Sequence, residues 1–209
     1  MIHMKKKNFA TSVYLYCTAQ SQWIDTTLPG KKKKLALSHL KFHFLSQILG
    51  RQITAQDLFY GPHGKPFLKI EQNFSFNISH SKYYYAIAFA YRACHLGLDI
   101  EDDNRQIKLA LATYILGDKE RVQWSLANDK QRALLYYWVQ KEAFIKIKGL
   151  SIFSGMKDMT FTRLTRRLYY ADYDNQPYHI FHLMLAKQRI TLFTDDTQVK
   201  KVDLIDHLP

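Results

Sequence analysis

Alternation of apolar and polar side chains is clearest in two short runs. In Phe74–His80, Phe74, Phe76 and Ile78 share one face, and Ser75, Asn77 and Ser79 the other. In Leu96–Glu101 the inward set is Leu96, Leu98 and Ile100, and the opposite set is Gly97, Asp99 and Glu101. A period of two marks a strand with distinct faces, so both runs are predicted strands. Val13–Cys17 reads as an earlier strand and Tyr83–Tyr91 as a strongly β-prone one. Arg92-Ala93-Cys94-His95 would then join Tyr83–Tyr91 to Leu96–Glu101 as a hairpin. After the Pro29-Gly30 turn, Leu35, Leu40, Phe44, Leu45, Ile48 and Leu49 recur at helical spacing until Gly50. Ile107–Ile115, Asp118–Leu126 and Asp129–Lys148 are also helical, the last ended by Gly149. Strand-like segments follow at Met159–Leu164, Arg167–Tyr173, Tyr178–Leu185 and Arg189–Phe193. Lys200–Pro209 carries little pattern, and no sequence repeat is evident.

Charge narrows the partners. The chain has 209 residues and a formal net charge of +12, from 30 Lys+Arg against 18 Asp+Glu. Such an excess favours an acidic partner: nucleic acid, anionic membrane, polyphosphate or acidic protein. Cys17 and Cys94 form neither a metal-ligand spacing nor a disulfide framework, which fits a reducing cytosol. Met1–Lys7 is basic, but Asn8–Cys17 is too broken by polar residues for a signal peptide. The apolar run Tyr83–Tyr91 is too short to span a bilayer. A soluble cytoplasmic protein is expected.

Candidate chemistry starts at Asp99 and Glu101, alternate residues on one strand face and so about 7 Å apart along it. Two ionised carboxylates at about 5 Å repel by roughly 3 kcal/mol at an effective dielectric near 20. A hard divalent cation removes that cost and typically keeps substrate phosphate and water as its other ligands. The alternative is a strand end running into a solvated acidic turn, since Asp102 and Asp103 follow. On the Asp129–Lys148 wheel, Glu142 falls among Leu134, Leu135, Trp138, Val139 and Ile145, with Lys146 one turn on. An exposed Glu–Lys pair is the competing reading. Lys31–Lys34 oppose the dipole at their helix start, which invites an anion or leaves them merely solvated. Lys65 stands in the stiff stretch Tyr60–Pro66, either presented to a phosphate or part of an ordinary hairpin. His80, within Ser79-His80-Ser81, binds phosphate or satisfies a turn.

Three acids with a nearby lysine suit metal-assisted phosphoryl chemistry, but spacing alone does not separate a nuclease from a transferase. The ordered motifs Gly64-Lys65-Pro66, Phe76–Ser81, Gly97–Glu101 and Trp138–Lys146 resemble those of the 4′-phosphopantetheinyl transferases. The length and the presence of all four motifs resemble the surfactin-synthetase-activating type, whose single chain holds two similar α/β halves. The resemblance implies an α+β, pseudo-twofold fold with subdomains 1–93 and 94–209 and the active site between them. It implies transfer of 4′-phosphopantetheine from coenzyme A to a serine of an acyl or peptidyl carrier protein, releasing adenosine 3′,5′-bisphosphate. Asp99, Glu101 and Glu142 then correspond to ligands of Mg²⁺, with Mn²⁺ as a substitute. Glu142 is also the base for the carrier serine, and Lys146 contacts the diphosphate and protonates the leaving oxygen. Lys65, Ser79 and His80 correspond to coenzyme A contacts. Lys33 and Lys34 fall in the region of the family's basic nucleotide contacts, and Glu120 resembles a structural acid at a helix start. A monomer is implied, with an acidic carrier as partner and neither nucleic acid nor membrane. Ile147-Lys148-Gly149-Leu150-Ser151 departs from the family's Gly-x-Gly turn. The rivals are a Mg²⁺-dependent nuclease and a basic non-enzymatic binding module. Nuclease cores of that kind place Glu and Lys two apart on a strand, whereas Glu142 and Lys146 are four apart on a predicted helix.

Overall fold

The computed structural model describes residues 11–151 and 154–208; the basic segment Met1–Lys7 lies outside the described residues. The first half begins with β1 (Ser12–Ala19), buried on both faces over Ser12–Tyr16, and continues into α1 (Gly30–Leu49). Pro29 stands before α1, where a missing N–H costs nothing, and Gly50 ends the helix at φ 64°. A small hairpin of β2 (Leu58–Tyr60) and β3 (Pro66–Leu68) contains the stiff Tyr60–Pro66 turn. β4 (Ser75–His80) and β5 (Tyr84–Ala90) follow as an antiparallel pair.

The second half begins with β6 (Leu96–Asp102) and then α2 (Ala112–Ile115), α3 (Asp118–Leu126) and α4 (Lys130–Lys148). The Asp129 side chain accepts from Arg132 N and caps α4. Short strands β7 (Phe161–Arg163) and β8 (Leu168–Ala171) precede the long hairpin of β9 (Gln176–Leu185) and β10 (Gln188–Thr194). The chain ends in β11 (Lys201–Ile205).

The sheets run β11-β1-β5-β4 and β6-β10-β9-β8-β7. Each half therefore runs strand, helix, antiparallel strands, and its last strand returns beside its first. Two similar α+β units result, although no sequence repeat announces them. α1 packs Leu37, Leu40, Phe44 and Leu45 on Tyr14, Tyr16, Tyr85, Ile87 and Phe89. α4 packs Leu134, Val139, Ala143, Phe144 and Ile147 on Tyr178, Ile180 and Phe193. Between the sheets, Val13, Leu15, Ala86, Ala88 and Ala90 meet Leu96, Leu98, Ile100, Ile190 and Leu192. The layers are helix, sheet, sheet, helix, with the helices outside.

Three expectations are corrected. Tyr83–Tyr91 and Leu96–Glu101 are not a hairpin: β5 lies inside the first sheet, β6 edges the second, and the two pack face to face. The physical reason is the alanine face of β5, small enough for a second sheet to close on. Ile107–Ile115 is not one helix; a 3₁₀ turn, Leu109–Leu111, leads into the single turn of α2. The tail does not stay with the second half, since β11 pairs in parallel with β1 and edges the first sheet.

Candidate active site at the seam between the halves

β6 turns Leu96, Leu98 and Ile100 into the inter-sheet core, so alternation sends Gly97, Asp99 and Glu101 toward α4. Gly97 lets the helix close on the strand. A Cβ there would lie 2.1 Å from Ala143 O and 2.6 Å from Ile147 N, so only hydrogen fits. α4 thereby brings Glu142 and Lys146 over the acidic strand. β4 lies alongside as the edge of the other sheet, and its Asn77 Oδ1 accepts from Leu98 N at 2.9 Å. The polar face of β4 is thus the seam rather than a solvated surface, which is why Asn77 and Ser79 are buried.

Asp99 is 5% exposed. Its Oδ1 accepts from Ser79 Oγ at 2.9 Å and from Lys146 Nζ at 2.7 Å, and Lys146 Nζ also donates to Ser79 Oγ at 2.7 Å. Asp99 Oδ2 is buried without a hydrogen-bond partner. Burial, and then the charge of Asp99, push the Glu142 carboxyl up to about 7, against the pull of Lys146 and Arg105. Glu101 is ion-paired to Arg105, whose guanidinium lies 5.2 Å from the Trp138 ring centroid. His80 is exposed as a residue, yet crowding of its ring and then the Lys146 charge hold its pKa below the ordinary histidine value. Lys33 acts on His80 in the same direction.

Asp99, Glu101, Glu142, Lys146, Ser79, His80 and Lys34 all line one cavity of about 530 Å³, with Leu37, Ser38 and Lys41 of α1 on its wall. Lys65 does not join them. Its ammonium donates to Leu96 O at 3.0 Å and to Ile147 O at 2.9 Å, pinning the β2–β3 hairpin to the second half. Burial lowers its pKa to about 8. The single-glycine turn after Lys146 closes as a Schellman cap: Gly149 N donates to Lys146 O and Leu150 N to Ile145 O, with Gly149 at φ 63°.

Among the described residues, no three His, Cys, Asp or Glu side chains form a ready metal cluster. Asp99, Glu101 and Glu142 line one cavity, in which Arg105 holds Glu101 and Lys146 holds Asp99. The donors nevertheless suit a hard divalent ion. All are oxygens, one is the orphaned Asp99 Oδ2, and burial, then the Asp99 charge, hold the Glu142 pKa above that of an ordinary carboxylate.

Two lysines escaped sequence reasoning. Lys141, fully buried, donates to Glu120 Oε2 at 2.5 Å, Ile115 O at 2.6 Å and Met156 O at 3.0 Å. Glu120 also accepts from Gly117 N at 2.9 Å, so the Lys141–Glu120 pair ties α3, α4 and the α2 end together. The spacing of Glu120 three residues after Gly117 is the local sequence signal for that role, alongside the resemblance to a structural acid at a helix start. Lys41, 7% exposed, donates to Tyr60 Oη at 2.8 Å; a wheel that also placed Lys34 on its face would have found it.

Residues 95–195 match the family model described as the 4′-phosphopantetheinyl transferase superfamily. A 99-residue stretch is 33% identical to the 4′-phosphopantetheinyl transferase psf-1 of Bacillus pumilus, covering 46% of this chain and 41% of that protein. The chain thus matches about two-fifths of the length of this curated relative. The holo-[acyl-carrier-protein] synthase of Thermotoga maritima aligns with TM-score 0.37 and 17% identity, over 48% of this chain and 61% of that one. No helix among the described residues is long and apolar enough to cross a membrane.

Proposed function

We propose that this protein, whose residues 95–195 match the 4′-phosphopantetheinyl transferase superfamily model, transfers 4′-phosphopantetheine from coenzyme A to a serine of an acidic acyl or peptidyl carrier protein in the cytoplasm. The carrier serine oxygen bonds to the phosphorus bearing the pantetheine arm, the diphosphate bridge breaks, and adenosine 3′,5′-bisphosphate leaves. The observation that carries this reading is the convergence of Asp99, Glu101, Glu142, Lys146, Ser79 and His80 on one cavity at the seam.

Asp99, Glu101 and Glu142 would hold Mg²⁺, or Mn²⁺ in its place. When bound, the ion balances these carboxylates and lowers the charge on the leaving nucleotide. Glu142 takes the proton from the carrier serine. Lys146 donates to the diphosphate and returns a proton to the leaving oxygen. Ser79 fixes Asp99 and Lys146 together. His80, Lys33 and Lys34 supply donors and positive charge to the phosphates of coenzyme A. The chain's contribution is positioning and electrostatics, and it acts as a monomer. Its formal charge of +12 steers an acidic carrier toward the cavity.

A panel of apo carrier proteins incubated with the purified chain, coenzyme A and Mg²⁺ tests the assignment by intact-protein mass spectrometry. A gain of one phosphopantetheine on a carrier is expected. No gain on any carrier, together with cleavage of added nucleic acid, would hand the acids to a nuclease instead.

A further inference from the structure

The doubled plan gives the candidate active site a counterpart inside the first half. α1 and α4 end alike, on Gly50 at φ 64° and on Gly149 at φ 63°. Aligned on those glycines, Gln47 takes the place of Lys146, and His43 that of Glu142. β1 turns Tyr14 and Tyr16 toward α1. Alternation puts Thr18 on the same side, the side that carries Asp99 and Glu101 on β6. β11 pairs with β1, and Asp206 follows it directly. Tyr16, Thr18, Trp23, Gln47, Tyr84 and Asp206 line a cavity of about 440 Å³, within the range of small-molecule sites. It shares no lining residue with the cavity at the seam.

The chemistry of this counterpart is different. No Lys or Arg lines it, in a chain that carries 30, so a phosphate has no cation to meet there. Its one carboxylate, Asp206, is exposed and held by no ion pair among the described residues. Gln47 Oε1 is buried, and among the described residues nothing donates to it. Tyr16, Trp23 and Tyr84 add ring surface. The Trp23 ring is fixed in place: its indole N–H donates to Thr18 Oγ1 at 3.0 Å, and its centroid lies 5.1 Å from that of His43. A carboxylate, an open acceptor and aromatic rings, with no competing ammonium, suit a cation that carries N–H donors.

We propose that this cavity binds a small organic ammonium ion. Asp206 is its counter-charge, Gln47 Oε1 accepts one of its N–H groups, and Tyr16, Trp23 and Tyr84 pack against its apolar body. The site stands apart from the seam and holds or fails independently of the transferase reading.

Isothermal titration of the full chain at about pH 7 and physiological ionic strength compares three probes of one shape: 2-phenylethylammonium, neutral 2-phenylethanol and anionic phenylacetate. The ammonium should bind at least about 10-fold more tightly than the alcohol, as expected for a cation among aromatic rings and a carboxylate, and phenylacetate should not bind. Asp206→Asn removes the counter-charge at an exposed position. It should weaken the ammonium by about 10-fold and leave the alcohol unchanged. Gln47→Lys puts an ammonium where the other half has Lys146 and should abolish binding of the probe cation. Circular dichroism checks folding, and Asp206→Asn decides alone should Gln47→Lys not fold. Equal affinity for ammonium and alcohol, or no binding of the ammonium, overturns the site. Wild-type ammonium affinity in a folded variant of either kind overturns it as well.

Discussion

The two halves share a plan and differ in the sign of what they present at the seam. Both place the last strand beside the first, as β1-β5-β4 and as β6-β10-β9. β1 carries no carboxylate, whereas its counterpart β6 carries Asp99, Glu101 and Asp102. α1 opens on four lysines and buries Lys41 beside the cavity, whereas α4 brings Glu142 with Lys146. At the cavity the three acids come from the second half together with Lys146, and the first half brings Ser79, His80 and, from α1, Lys34 and Lys41. The lesson is that the scaffold is doubled and the chemistry is not: it arises only where the edges β4 and β6 meet.

The sharpest contrast lies between the two buried lysines. Lys141 in the second half is paired to Glu120, and Lys41 in the first half meets only a hydroxyl and rings. Lys141→Met strands Glu120, whose burial already pushes its carboxyl pKa upward. Breaking such a pair costs about 3–5 kcal/mol, so urea unfolding should show a loss of that size. Glu120→Gln added to Lys141→Met should recover part of it. Lys41→Met strands no acid and should stay within about 1 kcal/mol of the wild type. Equal losses in the two single variants would mean that Lys41 is structural and that the contrast between the halves is false.

Next in size is the effect of removing one acid. Asp99→Asn keeps an acceptor for the Ser79 hydroxyl and so preserves the link between the halves, but it deletes the charge. Phosphopantetheine transfer should fall by about 10²–10³-fold, comparable to losing one preorganised electrostatic group, with the unfolding midpoint little changed. Wild-type turnover in that variant would take β6 out of the chemistry and leave the lysine-bearing half as a binding surface alone.

Much of this arrangement was legible from periodicity. Alternation in Leu96–Glu101 correctly separated Leu96, Leu98 and Ile100 from Asp99 and Glu101, and helical spacing found α1 and α4 with their glycine stops. What periodicity cannot supply is the partner of each face. Asn77 and Ser79 look like a solvent face because nothing local shows that β6 and α4 cover them. The alanines of β5 suit a hairpin neighbour as well as a second sheet, and only the non-local packing decides. β11 is invisible for the same reason: five weakly patterned residues become a strand because β1, nearly two hundred residues earlier in the chain, offers an open edge. Lys141 reads as a surface lysine until Glu120 and two carbonyls surround it.

The smallest effect concerns Lys65, through which the first half grips the second. Its ammonium donates to Leu96 O of β6 and Ile147 O of α4. Burial is the main cause of its lowered pKa; Asp195 and Cys94 pull it up, and Lys148 pushes it down. The folded-state value is about 8, against 10.5 for an ordinary lysine. Between those values the unfolded chain binds more protons than the folded one, so stability must rise with pH across that window. Below pH 8 both states are protonated and the folded state carries the full cost of a buried charge. Above 10.5 both are neutral and that cost is gone. The gain across the window is at most about 3 kcal/mol, with water reaching the half-buried side chain reducing it. Other lysines and tyrosines titrate nearby, so the measurement is a difference: unfolding free energy at several pH values for the wild type and for Lys65→Met. The wild type should gain on the variant as pH rises from 8 to 10.5. Parallel curves would mean that the Lys65 ammonium is well solvated, and that the grip between the halves rests on Asn77, Ser79 and the inter-sheet core.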